Sequence, residues 1–377
     1  MTVRYIRVNP IVDLFAPAVR AFGSIAIVGK VKPPTTLPAG VTIPDVNIPV
    51  AFTDPNDAKL RVPGELGDAI ALAFAQSPGP TLIYGVRVDA TAPDFGAALA
   101  VVDTLNVQLV VLAHTPLDTN TGGTNGAVTT LVNHIAAISN TGTDGMERMG
   151  VAMLPKGVSN PSIVTGTLAS ERMVYIAHNS DEDAAAAVAG TIAGYQPHVS
   201  LLLKQVNITS PNFTAAQVDQ LNGQPETFDS GPTGAGVNWL TSPALIPGSS
   251  VFMGEGYTGA PGGKKYIDMV RFTDDLSFRL KAQLIKTIGN VRISRSGLRT
   301  LIAQMESVLT PFLQADILDG FEVVVPLLAL LDKDPATLTA TELAQINNAQ
   351  SQRLVQILTA VEYAGAIHRL AITLKFD

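Results

Sequence analysis

Five histidines stand in the chain (His114, His134, His178, His198 and His368), and the first chemistry to test is metal binding. No two of them fall at the HxH or HExxH spacing that aims two imidazoles at one ion, so each reads as a structural histidine. Cysteine is absent, which removes disulfides, thiolate zinc sites and thiol nucleophiles together. A GxSxG nucleophile elbow is also missing. The nearest phosphate-loop candidate is Gly259-Ala260-Pro261-Gly262-Gly263-Lys264-Lys265. Its outer glycines are one residue too close, Lys265 replaces the magnesium-binding Ser or Thr, and Pro261 removes an N–H donor from the cradle. Asp274-Asp275 has the form of an acid/base dyad, but it directly precedes a predicted helix and reads as its cap. Ser180-Asp181-Glu182-Asp183 reads likewise, as a serine N-cap with acids in the first turn of an alanine-rich helix. No constellation is left for catalysis. The chain is expected to be no enzyme, with no cofactor and no metal.

Charge tells more. The 377 residues carry 25 basic and 32 acidic side chains, a net charge of -7, which argues against a nucleic-acid-binding surface. Only 15% are charged, against about 25% in a typical domain. With 46% hydrophobic residues, intrinsic disorder is excluded. The first seven residues lack the apolar core of a secretory signal. The charge-free runs between Ala184 and Lys204 and from Ser230 to Gly254 are broken by Gly and Pro, so neither reads as a membrane span. A soluble protein made and kept in the cytoplasm is expected, its sparse charge pointing to surface buried by partners. One segment departs from this background. Residues 276–305 contain Arg279, Lys281, Lys286, Arg292, Arg295 and Arg299 and no acid. Two readings stand side by side: a solvated helical face, and a basic face that docks on an acidic partner.

The elements that position these residues follow from hydrophobic period. Strands are predicted at 3–8, 22–28, 81–88, 108–113, 149–154 and 172–177. Helices are predicted at 68–75, 95–105 and 125–139 and after Asp183, with a turn opening at Thr53-Asp54-Pro55. Residues 32–49 hold five prolines and read as an extended loop. This alternation means an α/β layer with a mostly parallel sheet. Residues 205–262, rich in Asn, Thr, Ser, Gly and Pro around the single Trp239, read as loops and short irregular strands. Beyond them come an amphipathic helix at 275–288, a helix at 296–313, a strand at 320–325, a helix at 341–348 and strands at 354–361 and 367–376. The last strand puts His368, Leu370, Ile372, Leu374 and Phe376 on one face and Arg369, Ala371, Thr373 and Lys375 on the other. With Val3, Tyr5, Ile6 and Val8 at the other end, both termini carry strand-forming segments outside the α/β pattern. They either pair with each other or donate strands to neighbouring subunits.

The order of these elements resembles the contractile tail sheath proteins of bacteriophages and related injection machines, including R-type pyocins. FGSIAIVGK at 22–30 looks like the family's opening strand, and IPVAFTDPNDA followed by LIYGVRV looks like its turn–helix–strand module. YIDMVRFTDDLSFRLKAQLI at 266–285 resembles an Arg-containing strand followed by a helix, and GLRTLIAQMESVLTPFLQADIL at 297–318 resembles the next, tube-facing helix. Near Trp239 the chain departs from the family's Trp-Gly-x-Arg-Thr element, so no role is carried onto residues 254–258.

The resemblance implies an α/β outer domain with a mostly parallel sheet, an α+β inner C-terminal domain, and extended N- and C-terminal strand arms. The corresponding division is an arm at 1–20, the α/β domain at 21–204, a connecting region at 205–262, a tube-facing domain at 263–365 and an arm at 366–377. It implies a helical homo-oligomer of stacked hexameric rings around a tail tube, with baseplate and terminator proteins as further partners and neither nucleic acid nor membrane. The location implied is a virion tail or injection particle, assembled in the cytoplasm of a bacterial host. Arg292, Arg295 and Arg299, then Lys286 and Arg279, would meet the tube. Two alternatives remain at this stage. One is an α/β enzyme or nucleotide-binding protein. The other is a sheath-like baseplate or terminator paralogue.

Overall fold

The computed structural model describes residues 22–32, 38–140, 145–222, 236–260 and 266–368. The predicted strand at 3–8 and the alternating residues after His368 lie outside them. The described residues form two units, one of residues 22–274 with 366–368, the other of residues 275–365.

The first unit is a three-layer α/β structure. Its strands are β1 (Ile25–Lys30), β2 (Pro49–Phe52), β3 (Ile83–Val88), β4 (Leu109–Leu112), β5 (Met149–Met153), β6 (Met173–Ala177), β7 (Gln205–Val206), β8 (Val237–Thr241) and β9 (Val251–Met253). They form one sheet in the order β2-β3-β1-β4-β5-β6-β8-β9-β7. The run from β3 to β8 is parallel, and β2, β9 and β7 add antiparallel edges. The mostly parallel sheet expected from the sequence is present. Both faces are covered, which explains apolar runs without polar alternation. Ile25 and Ile27 of β1 face one core with Val111 and Ile176; Ala26 and Val28 face the other with Val110 and Tyr175. Helices α1 (Pro55–Arg61), α2 (Glu65–Phe74) and α5 (Ala184–Gly194) cover the first face, and α3 (Phe95–Val102) and α4 (Ala127–Asn140) the second.

Several local expectations change. Asp54 is the N-cap of α1, its carboxylate accepting the Asn56 N–H, so the turn at 53–55 opens a helix. The cap of α5 is Asp183, whose Oδ1 accepts the Ala186 N–H; Ser180 lies outside the helix and accepts the Glu182 N–H. The nearest side chain to the free amides wins the cap, and the carboxylate also suits the helix's positive end. Residues 205–262 are more regular than their composition suggests. They contribute β7, β8, β9 and α6 (Ala215–Asn222), and β8 continues the parallel sheet.

From Ile267 to Leu284 the chain is one helix, α7, so the expected strand before it is absent. Asp274 and Asp275 are therefore interior helix residues and cap nothing. Asp274 instead takes both guanidinium nitrogens of Arg172, at 2.7 and 3.0 Å. Asp275 takes Arg279 Nε at 2.8 Å, one turn on.

The second unit holds the remainder of α7, then α8 (Arg295–Gln314), β10 (Leu318–Val324), α9 (Pro326–Asp332), α10 (Ala340–Gln352) and β11 (Leu358–Tyr363). Leu298, Val325, Leu327 and Ile346 form its small core with partly buried neighbours such as Ile293 and Leu301. Helix α9 was not expected, and α10 is longer than predicted. Thr339 and Glu342 close a capping box at its start, and the hydrogen bond from Lys333, together with those from Thr339, holds the Glu342 carboxyl down at about 2. Arg353 ends the helix with φ 54°, and β11 begins four residues later than the strand predicted at 354–361.

Candidate interaction surfaces

The basic stretch occupies the end of α7, the turn after it and the first half of α8. Tertiary structure has partly neutralised it. Arg279 pairs with Asp275 and lies 5.2 Å over the Phe312 ring. Arg299 reaches both carboxylate oxygens of Asp332, at 3.2 and 3.3 Å. Arg295 Nε donates to the Leu331 carbonyl and lies 3.6 Å from Asp332 Oδ1. Lys286 and Arg292 are exposed and have no ion pair among the described residues. Beside them Ile285 and Ile288 stand 65% and 77% exposed, two large apolar side chains on one short turn. The five residues singled out in the sequence thus divide into three engaged arginines and two unengaged cations around an apolar turn.

A second surface is the ribbon of β10 and β11. The strands pair antiparallel, Phe321 opposite Val361 and Val324 opposite Leu358, with a bulge between Leu318 and Gly320. They form a sheet of two, with no further strand among the described residues. Leu358 is 62% exposed, and every residue of β11 except Tyr363 is exposed. An isolated two-stranded ribbon is marginal in water, and its free edges present unpaired N–H and C=O groups.

The third surface receives the C-terminal segment, within the α/β unit. His368 Nδ1 lies 3.0 Å from Glu255 Oε2, and Nε2 lies 2.8 Å from Ser200 Oγ. Its ring packs on Tyr266 with centroids 4.5 Å apart. Of the residues expected to form the arms, Ala366, Ile367 and His368 are described, and none of the three is in a strand.

No family model matches this chain, and no curated protein does. Solved structures do. The contracted helical sheath of the anti-feeding prophage covers 100% of this chain and 99% of its own at 16% identity, with a TM-score of 0.64. The contracted sheath complex of PVC, an extracellular contractile injection system, covers 100% and 98% at 12% identity, with a TM-score of 0.65. A chain of the six-fold symmetrised anti-feeding prophage baseplate matches at 14% identity and 0.64. This chain has the contractile sheath fold.

The match spans the whole length of the chain. In the parallel part of the sheet the spatial order follows a 2-1-3-4-5 pattern, whose crevice at the carboxyl ends of β1 and β4 holds ligands in many enzymes. A cavity of about 400 Å³ lies beyond the end of β4, lined by Lys59, Asp68, His114, Asp181, Glu182 and Asp183, with no residue of β1 in its wall. Three of its four acids have structural work. Asp183 caps α5 and accepts the His114 N–H at 2.7 Å, Glu182 accepts the Thr209 N–H, and Asp181 pairs with Lys156. His178 is buried with its Nε2–H on the Leu154 carbonyl and its Nδ1 accepting the Ser180 N–H, and burial holds its pKa down. Burial and the Arg148 charge likewise push His134 down to about 4. Among the described residues no group of three His, Asp or Glu could hold a metal ion, and no helix is long and apolar enough to cross a membrane. Most of the phosphate-loop candidate lies outside the described residues.

Sequence reading missed Asp332 and Glu255. Each is remote from its partner, 33 positions from Arg299 and 113 from His368, and no local spacing could have signalled either pair. The α10 capping box was legible in Thr339-Ala340-Thr341-Glu342.

Proposed function

We propose that this chain is the structural subunit of a contractile sheath. It polymerises as stacked six-membered rings around an inner tube and drives that tube forward when the lattice shortens. The observation that carries this reading is the open β10–β11 ribbon in a full-length sheath fold whose termini have strand periodicity. Two unpaired edges on one subunit and two strand-forming arms elsewhere are what β-augmentation between copies requires. The contact is heterologous, because a tail of one copy meets a ribbon of the next. Such contacts close into rings or continue as helices. The helical and six-fold assemblies of the solved neighbours agree with both outcomes.

The exposed turn with Lys286, Ile285, Ile288 and Arg292 is the face assigned to the tube, with Arg295, Arg299 and Arg279 beside it. Cations meeting an acidic wall give a contact strong enough to register and weak enough to slide, since exposed ion pairs are worth only about 0–1 kcal/mol. Strand pairing is the permanent part and charge the releasable part. Contraction then needs no reaction, only a second packing of the same subunits with lower energy. Baseplate and terminator proteins would border the sheath at its two ends.

Negative-stain electron microscopy of the concentrated protein tests this. Hollow, striated cylinders of uniform width are expected. Deleting residues 1–8 or 367–377 should leave a folded subunit that forms none. Dispersed monomers from the intact chain, with and without an inner tube as template, would overturn the proposal.

A further inference from the structure

The socket around His368 is made of parts that are rigid without it. Glu255 is 4% exposed and lies between two anchored glycines: the Gly254 N–H donates to the Trp239 carbonyl, and the Gly256 carbonyl accepts the Ile267 N–H. Tyr266, whose ring packs at a tilt against the imidazole, leans on Tyr257 at 5.8 Å. The Tyr257 main chain is held on both sides by Asn238, a fully buried amide of β8 that accepts its N–H at 2.6 Å and donates to its carbonyl at 2.8 Å. Among the described residues of the tail, His368 is the one whose side chain enters this socket. Ile367, immediately before it, is 80% exposed.

The order serine, histidine, glutamate is that of a hydrolytic triad. The oxygen is nevertheless engaged from both sides, because the Leu202 N–H donates to Ser200 Oγ at 3.3 Å while the imidazole holds it at 2.8 Å. A nucleophile also needs donors aimed at an oxyanion, and here the nearby N–H is turned onto the serine itself. The polar chain is a device for holding His368 in one place. With Nδ1–H given to a nearly buried carboxylate and Nε2 matched by a hydroxyl, both ring nitrogens are satisfied where water hardly reaches.

We propose that this socket anchors the C-terminal arm in its own subunit, and that it thereby sets both the reach and the register of the strand given to a neighbouring copy. This rests on the sheath reading above. Residues 369 to 377 can span roughly 30 Å when extended, so any sheet edge of the next copy that these nine residues pair with must lie within that radius of Glu255. The anchor also fixes phase. A strand turns every second side chain to the same face, so immobilising residue 368 decides which face Leu370, Ile372, Leu374 and Phe376 present. Tension on the arm is delivered through Glu255 and Ser200 to the α/β unit, and β11 is spared the load.

Two experiments on the full chain test it. In the unassembled subunit, His368→Ala and Glu255→Ala should make the amides of residues 366–370 exchange about tenfold faster or more, the loss expected for a hydrogen bond to a charged group. Glu255→Gln keeps an acceptor for Nδ1–H and should stay within about threefold of the parent. Unchanged exchange in His368→Ala overturns the anchor. In assembly, inserting one residue after His368 reverses every later side chain and should abolish cylinders, whereas inserting two restores the phase and should allow them. Equal behaviour of the two insertions overturns the register role. If the parent chain forms no cylinders, the sheath reading fails, and the exchange measurement still decides the anchor.

Discussion

Asp332 lies against two arginines of another helix, with Oδ1 3.6 Å from Arg295 Nε and Oδ2 3.2 Å from Arg299 Nη2. In the linear chain Arg295 and Arg299 belong to a thirty-residue stretch without an acid; in the folded unit they share one. All three side chains are between 40% and 65% exposed, so the interaction is solvent-screened and exchangeable. The least encumbered cations of this face are Lys286 and Arg292.

Reversing those two, Lys286→Glu with Arg292→Glu, should weaken binding to an acidic tube about tenfold or more at low salt, with folding intact. The difference should shrink towards roughly 0.5 M salt, where screening acts within a few ångströms. Arg299→Glu should also cost stability, since it sets a carboxylate against Asp332. Co-sedimentation with tubes over a salt series measures the first effect, and urea unfolding the second. Salt-independent binding by the double variant would remove this face from the tube contact.

Arg172 and Asp274 form a fork at 2.7 and 3.0 Å with side chains only 16% and 15% exposed. Truncating either partner to Ala should cost about 3–5 kcal/mol, because it strands a poorly hydrated charge. Replacing both with Leu should cost less than either single change. A double-mutant cycle in denaturant reads the coupling, and strictly additive losses would show that the fork carries no energy of its own.

Acid should destabilise the α/β unit through its histidines. Burial lowers the folded pKa of His178, and burial with Arg148 lowers that of His134 to about 4, against roughly 6.5 when unfolded. In that window the unfolded chain binds more protons, so stability is full above about 6.5 and falls as pH drops towards 4. For His178 the geometry gives the same sign, since a proton on Nδ1 would face the Ser180 N–H. Urea midpoints at pH 7 and pH 5 measure the loss. His178→Gln should flatten part of it, and an identical slope in that variant would count against the assignment.

Gly254 offers a fluorescence test. A Cβ there would sit 2.2 Å from Trp239 Cε2, inside the indole's own volume. Gly254→Ala should therefore displace the ring and destabilise the fold by about 1–3 kcal/mol. Trp239 is the single tryptophan and is 5% exposed, so its emission should shift to the red. Unshifted emission with unchanged stability would mean that the backbone gives way at Gly254.

The α/β alternation is legible along the chain, because helix and strand periods are written in neighbouring residues. Phe95–Val102 and Met149–Met153 could be read within two or three residues of their bounds for that reason. The sequence also marked the acid-free cationic segment and the strand periodicity of the ends. Only the tertiary structure decided where side chains meet across long stretches of chain: that Asp274 clasps Arg172 and caps nothing, that Asp332 shares two arginines, and that His368 enters a socket made by Ser200, Glu255 and Tyr266. The strand order, with β3 and β4 on either side of β1, belongs to the same class. These pairings are set by the packing of whole layers, whose free energy depends on distance in space, and no pattern along the chain encodes that distance.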